Sequence, residues 1–165
     1  MGKRIGLISD THIPVVDSDL PASVYKHLDE CDLILHAGDF VDENFYKKLK
    51  SKYKIVGVLG NMDSLSLGRY LKTKEIIEIE GVKVGLTHGR GAPSGLIDLC
   101  IKEFNIDKVD VIVFGHSHQA LIKKIKGVLF INPGSPTDTV FAPYKSMAIL
   151  CVEKGEIKNA EIVKV

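Results

Sequence analysis

The stretch Phe114-Gly115-His116-Ser117-His118 decides how the rest of the chain is interpreted. It follows the apolar, β-branched run 109–114, which predicts a short buried strand. A glycine ends that strand, and two histidines one residue apart come next. In a loop beyond a strand end such a pair can converge on one small volume, and imidazole is the commonest protein ligand of metal ions. The motif therefore predicts a metal site, with two ordinary polar loop residues as the alternative.

Four more predicted strands end in side chains that can bind metal. These side chains are Asp10 with His12, Asp39, Asn61 and His88. With the histidine pair they supply three oxygen donors and four imidazoles, a mixture that suits Mn²⁺, Zn²⁺, Fe²⁺ or Ni²⁺ better than Ca²⁺ or Mg²⁺. So many ligands exceed the needs of one such ion. They predict two ions that share one carboxylate, and the alternative is a set of unrelated polar residues.

The order of the predicted elements indicates an α/β protein. Strands over 4–8, 33–35 and 54–59 are separated by helices over 20–28 and 43–52, which implies a parallel sheet with crossover helices. Farther along, the pattern predicts strands over 75–80 and 82–87, a helix over 93–104, and strands over 109–114, 120–126, 128–131, 147–152 and 157–163. The pattern alone supports mixed sheets, and we expect a single domain over residues 1–165.

Composition narrows the class of protein. The chain has 165 residues, of which 45% are hydrophobic, and 22 basic residues against 21 acidic ones leave a net charge of +1. We therefore expect no general binding to nucleic acid or membranes. Three scattered cysteines, without a signal peptide or an apolar run of membrane length, favour a cytoplasmic protein.

Taken in order, the motifs resemble those of a known superfamily. Asp10-Thr11-His12, Gly38-Asp39, Gly60-Asn61-Met62-Asp63, His88 and Gly115 to His118 are similar to the motifs of the calcineurin-like metallophosphoesterases. With Asn132-Pro133-Gly134-Ser135, the set most resembles the small YfcE-type phosphodiesterases. The resemblance implies a four-layer α/β/β/α sandwich with two mixed sheets and a metal centre at the strand ends.

The resemblance also implies roles for individual residues. One ion would be held by Asp10, His12, Asp39 and His118, and the other by Asp39, Asn61, His88 and His116, with Asp39 as the bridge. Two divalent transition-metal ions are implied, with Mn²⁺ favoured over Ni²⁺, Fe²⁺ and Zn²⁺. A hydroxide held by both ions would then attack phosphorus in line. Catalytic roles are expected for Asp39, Asn61 and Asp63, and substrate contacts for Asn61, Asn132 and Ser135.

Met62 departs from the superfamily pattern, because most members have a histidine there. Methionine cannot donate a proton to a leaving group, so esters of poor leaving groups are expected to be poor substrates. Asp63 keeps its place but lacks its imidazole partner.

The function predicted from these residues is a phosphodiesterase that acts on a small phosphodiester or nucleotide. A phosphomonoesterase or nucleotide phosphatase is the alternative enzyme. The alternative outside catalysis is a protein-interaction scaffold of the retromer-subunit type, in which the metal site has degraded. Here every ligand position holds a competent ligand, which favours an enzyme. Homo-oligomerisation stays open.

Overall fold

The computed structural model describes residues 1–104 and 108–165. Over this part of the chain there are ten strands and three α-helices. The strands are β1 Lys3–Ile8, β2 Leu33–His36, β3 Ile55–Gly57, β4 Lys74–Ile79, β5 Val82–Thr87, β6 Val111–Val113, β7 Leu121–Ile125, β8 Val128–Asn132, β9 Ser146–Glu153 and β10 Glu156–Lys164. The helices are α1 Ala22–Leu28, α2 Glu43–Lys52 and α3 Leu96–Glu103.

The strands form two five-stranded mixed sheets. The first has the order β10-β9-β1-β2-β3 and the second the order β4-β5-β6-β8-β7. Within the first sheet β1, β2 and β3 are parallel, and within the second β5, β6 and β8 are parallel. The remaining strands pair in the antiparallel sense. Each sheet therefore presents the carboxyl ends of three parallel strands.

Three apolar clusters define four layers. The cluster between the sheets joins side chains of β1, such as Leu7, to side chains of β5, such as Val84. A second cluster packs α1 and α2 on the outer face of the first sheet, through Val24 and Leu49 among others. A third packs α3 on the outer face of the second sheet. The predicted α/β/β/α arrangement with two mixed sheets is confirmed.

The boundaries of several elements differ from the predicted ones. The first helix begins at Ala22 because Pro21 lies at its N-cap and holds the preceding residue away from helical geometry. Residues Pro93–Gly95 form a 3₁₀ turn before α3, and the third strand is shorter than predicted. A 3₁₀ helix over Leu65–Arg69 was not predicted. In the described part of the chain, no helix has the length and apolar character that a membrane span requires.

Candidate metal centre

Two buried carboxylates, Asp10 and Asp39, occupy the edge where the two sheets meet. One oxygen of Asp39, Oδ2, lies 3.3 Å from His12 Nε2 and 3.3 Å from His88 Nε2. Asp10 Oδ1 lies 3.4 Å from His118 Nε2 and 3.8 Å from His88 Nε2. The ligand atoms of Asp10, His12 and His118 are close enough together to hold one ion, and so are those of Asp10, Asp39 and His88.

Asn61 and His116 complete the second group. The amide oxygen of Asn61 lies 3.0 Å from His88 Nε2 and 3.2 Å from His116 Nδ1. Oxygen and imidazole atoms thus converge on both sides of Asp39 Oδ2. The structure brings together all the side chains that the sequence predicted as metal ligands. Asp39 Oδ2 lies between His12 of one group and His88 of the other, whereas Asp10 belongs to both groups, and the bridging role of Asp39 stays a prediction.

Two buried atoms at the centre lack a hydrogen-bond partner. They are Asp10 Oδ1 and His12 Nε2, which are enclosed by protein and form no hydrogen bond with the described residues. Burying a polar atom without a partner is costly, and a metal ion satisfies such atoms as well as a hydrogen bond does. The donor set and these unpaired atoms therefore fit divalent transition-metal ions.

Hydrogen bonds aim two of the imidazoles at the centre. His88 Nδ1 donates to the carbonyl oxygen of Ala37 at 2.7 Å, which leaves Nε2 directed at the carboxylates. His118 Nδ1 contacts Asp138 Oδ2 at 2.5 Å, which leaves its Nε2 directed at Asp10. A carboxylate or carbonyl behind a ligating histidine fixes its tautomer and its orientation. Asp138 was missed by the sequence analysis, because nothing in the local sequence links it to His118.

The backbone of the ligand loops is strained. Five of the predicted ligands have positive φ angles, which non-glycine residues rarely adopt, namely Asp10 (54°), His12 (46°), Asp39 (60°), His116 (71°) and His118 (59°). Such conformations persist only where the surrounding structure holds them, and they concentrate at functional sites. Backbone hydrogen bonds between neighbouring loops supply that support, as from Asp10 N to Gly38 O and from His12 N to Asp39 O, both at 3.0 Å.

Two glycines allow the carboxylates to pack against backbone. A Cβ atom on Gly60 would lie 2.1 Å from Asp39 Oδ1, and one on Gly115 would lie 2.0 Å from Ser9 Oγ and 2.7 Å from Asp10 Oδ2. Ser9 Oγ itself donates to Asp10 Oδ2 at 2.7 Å. The glycines of the Gly-Asn-Met-Asp and Gly-His-Ser-His motifs are therefore required by close approach to the carboxylates.

The other predicted site residues lie behind the ligands. Asp63 accepts hydrogen bonds from the backbone nitrogens of Asp39, Val41 and Gly60 at 2.7–3.1 Å. Asn132 donates to Gly115 O and Ser117 Oγ, and Ser135 donates to Asp10 O. Asn132 and Ser135 are fully buried. This geometry favours a positioning role for all three residues, whereas Asn61 is exposed at the mouth of the centre.

The buried carboxylates and imidazoles of the centre shift one another's pKa values. Burial disfavours the protonated forms of His88 and His118, but hydrogen bonds and the negative charges of Asp39, Asp10 and Asp138 outweigh burial and raise the pKa of each histidine to about 9. Burial likewise disfavours the ionised form of Asp39, yet the adjacent imidazoles of His12 and His88 hold its pKa well below the usual range. Without metal, protonated imidazoles thus balance the buried carboxylates.

Four packed layers and a centre of mixed oxygen and imidazole donors at the strand ends define a metal-binding α/β protein. The chain belongs to the calcineurin-like phosphoesterase superfamily, whose domain model matches residues 4–155. The resemblance found in the motifs is thereby confirmed.

Individual relatives agree with this assignment. A probable metallophosphoesterase from Methanocaldococcus jannaschii is 41% identical over 153 residues, which are 90% of this chain and 76% of the relative. A phosphodiesterase from the same organism is 26% identical over 172 residues, covering 94% of this chain and 97% of that one. The structure of vacuolar protein sorting 29 from Cryptosporidium parvum aligns with a TM-score of 0.78 at 22% identity, covering 99% of this chain and 98% of that one. At that identity the likeness supports the fold alone.

Replacing Gly115 by alanine tests the packing behind Asp10. The new methyl group would overlap Ser9 Oγ and crowd Asp10 Oδ2, so the free energy of unfolding of the metal-free protein should fall by about 1–3 kcal/mol. Gly68→Ala is the matched control, because a Cβ there meets no atom within 4 Å. Urea denaturation in the presence of a chelator measures both variants. Equal stabilities would contradict the packing described here.

Proton release on metal binding tests the electrostatics. Because the pKa values of His88 and His118 are raised to about 9 in the metal-free protein, both are protonated at pH 7.5 and must become neutral to bind an ion. Binding should release about two protons per chain at pH 7.5, and metal affinity should rise with pH up to about 9. Calorimetry in buffers of different ionisation enthalpy measures the release. No release at pH 7.5 would contradict protonated histidines.

Proposed function

We propose that the protein is a metal-dependent phosphodiesterase that hydrolyses small phosphodiesters. The observation that carries the proposal is the position of Asp39 Oδ2, which lies 3.3 Å from His12 Nε2 in one ligand group and 3.3 Å from His88 Nε2 in the other. Membership of the phosphoesterase superfamily gives that arrangement its chemistry. We further propose two ions per chain, with Mn²⁺ favoured, and a cytoplasmic location.

The residues of the centre have different roles in the proposed reaction. Two divalent ions bound here would lower the pKa of a water molecule, so that it could act as the nucleophile, and would neutralise negative charge on the phosphoryl oxygens. A hydrogen bond of 2.8 Å from Met62 N to Asp39 Oδ1 leaves the other oxygen, Oδ2, free to hold metal between the two ligand groups. The exposed amide of Asn61 can orient a phosphoryl oxygen of the substrate. Asp10, His12 and His88 close the rear of the site against water, since all are buried.

The surroundings of the centre support a diester substrate. Two cavities, of about 680 Å³ and about 460 Å³, both include Asn61 in their walls. A phosphodiester carries two organic groups, and a phosphorus placed beside Asn61 would adjoin both cavities, each with room for one group. The relative named as a phosphodiesterase supports the same preference. Met62 offers no proton to the departing oxygen, so diesters of good leaving groups are the substrates expected to react fastest.

The second candidate is a protein-interaction scaffold, and the fold shared with vacuolar protein sorting 29 is compatible with it. In a scaffold the ligand set has no reason to be complete. Here the ligand atoms predicted for both ions are present and lie close together, which supports the proposal of an enzyme. A phosphomonoesterase shares this centre, and substrate comparison separates it from a diesterase.

Replacing Asp39 by asparagine tests the proposed function. The change removes one negative charge from both ligand groups, so hydrolysis of bis(p-nitrophenyl) phosphate with saturating Mn²⁺ should fall at least ~10²-fold. Asp98→Asn is the matched control, since Asp98 is exposed on α3 and outside the centre, and should keep full activity. A wild-type protein that binds Mn²⁺ without hydrolysing any phosphoester would favour the scaffold. Full activity in Asp39→Asn would contradict the bridging role.

A further inference from the structure

An aromatic side chain stands exposed at the edge of the metal centre. Phe141 is 74% exposed, and it lines the 460 Å³ cavity together with His12, His116 and His118. Its ring meets the ring of His118 edge to face, with 6.0 Å between their centroids. A phenyl ring left in water forgoes the stabilisation of burial, which an apolar group bound in this cavity would restore.

The segment that carries Phe141 is held in place by Asp138. The carboxylate of Asp138 accepts hydrogen bonds from the backbone nitrogens of Val140, Phe141 and Ala142 at 2.7–3.3 Å. The same carboxylate contacts His118 Nδ1. One side chain therefore fixes both a predicted metal ligand and the aromatic ring next to it, which presents the ring in a defined position relative to the ions.

Apart from the predicted metal ligands, the described residues in the wall of the 460 Å³ cavity are uncharged. Met62, 54% exposed, lines the cavity beside Asn61, and Pro93 lines it as well. Among the described residues of this wall there is no lysine or arginine. The neighbouring 680 Å³ cavity differs, because Lys74, Arg90 and Glu103 contribute to its wall. Both cavities include Asn61. Outside the metal ligands, the described residues of one wall include charged side chains, and those of the other are all uncharged.

We propose that Phe141 and Met62 form a subsite for an uncharged aromatic ester group of the substrate, such as an aryl group or a nucleobase. The proposal rests on the proposed function, since the metal centre would hold the phosphoryl group. A planar ring can stack on or pack edge to face with Phe141, and the thioether of Met62 makes favourable contacts with aromatic rings. Beyond the metal ligands, the described part of this wall has no lysine or arginine that could balance a second anionic group.

Binding of two phosphonates to the Mn²⁺-loaded protein tests the subsite. Phenylphosphonate and methylphosphonate share the head group that binds the ions and differ only in the organic group. Calorimetry should show tighter binding of phenylphosphonate by the wild type. In Phe141→Ala the dissociation constant of phenylphosphonate should rise about fivefold to tenfold, whereas that of methylphosphonate should stay unchanged. The ratio of the methylphosphonate constant to the phenylphosphonate constant should therefore fall by the same factor.

Two further variants separate the subsite from indirect effects. Val140→Ala removes an exposed side chain of the same segment that does not line the cavity, and should leave the ratio unchanged. Phe141→Trp keeps an aromatic ring and should preserve the preference for phenylphosphonate.

Each contrary result has a distinct meaning. An unchanged ratio in Phe141→Ala would overturn the subsite while leaving the proposed function intact. Equal weakening of both phosphonates in that variant would also overturn it, because it would show that Phe141 acts only through His118. Failure of both phosphonates to bind the Mn²⁺-loaded wild type would overturn the proposed function and the subsite with it.

Discussion

The structure depends on holding two buried carboxylates, Asp10 and Asp39, side by side where the two sheets meet. Asp10 is fully enclosed and Asp39 is nearly so. Buried charges of like sign need compensation, which comes from protonated imidazoles or from metal ions. The raised pKa values of His88 and His118 show the first form of compensation. Because the compensating groups come from both sheets, the charge balance also ties the two halves of the fold together.

The loops reach this arrangement through strain that other contacts hold in place. Five of the predicted ligands, including the pairs Asp10/His12 and His116/His118, lie on left-handed backbone. Side chains two residues apart share one face of an extended strand but run parallel, and the left-handed turns let them converge on one point. Asp63 uses its carboxylate to bind three backbone nitrogens around Asp39, and Ser135 binds the carbonyl of Asp10. These residues act on the centre by shaping its loops. Asp138 likewise shapes a loop, because its carboxylate contacts His118 and accepts a hydrogen bond from the backbone nitrogen of Phe141.

The sequence predicted which side chains converge at the strand ends, because each follows a strand with a clear apolar pattern and most lie beside a glycine. It also predicted the sheets, since strands that alternate with helices must pair in parallel. Asp138 and Phe141 could not be found in this way, because they lie in the segment 133–145, which has no periodic pattern and whose course depends on tertiary contacts. Asn132 and Ser135 were predicted to contact substrate, but both are buried and donate hydrogen bonds to backbone carbonyls of the ligand loops, which no sequence pattern revealed.

The central claim is that two ions bound around Asp39 act as one unit, and a metal titration tests it most directly. Metal-free protein is titrated with Mn²⁺, while bound metal is measured by elemental analysis and hydrolysis of bis(p-nitrophenyl) phosphate is followed in parallel. The account predicts that binding saturates at about two ions per chain and that activity appears with the second ion. Full activity at a stable plateau of one ion per chain would contradict it.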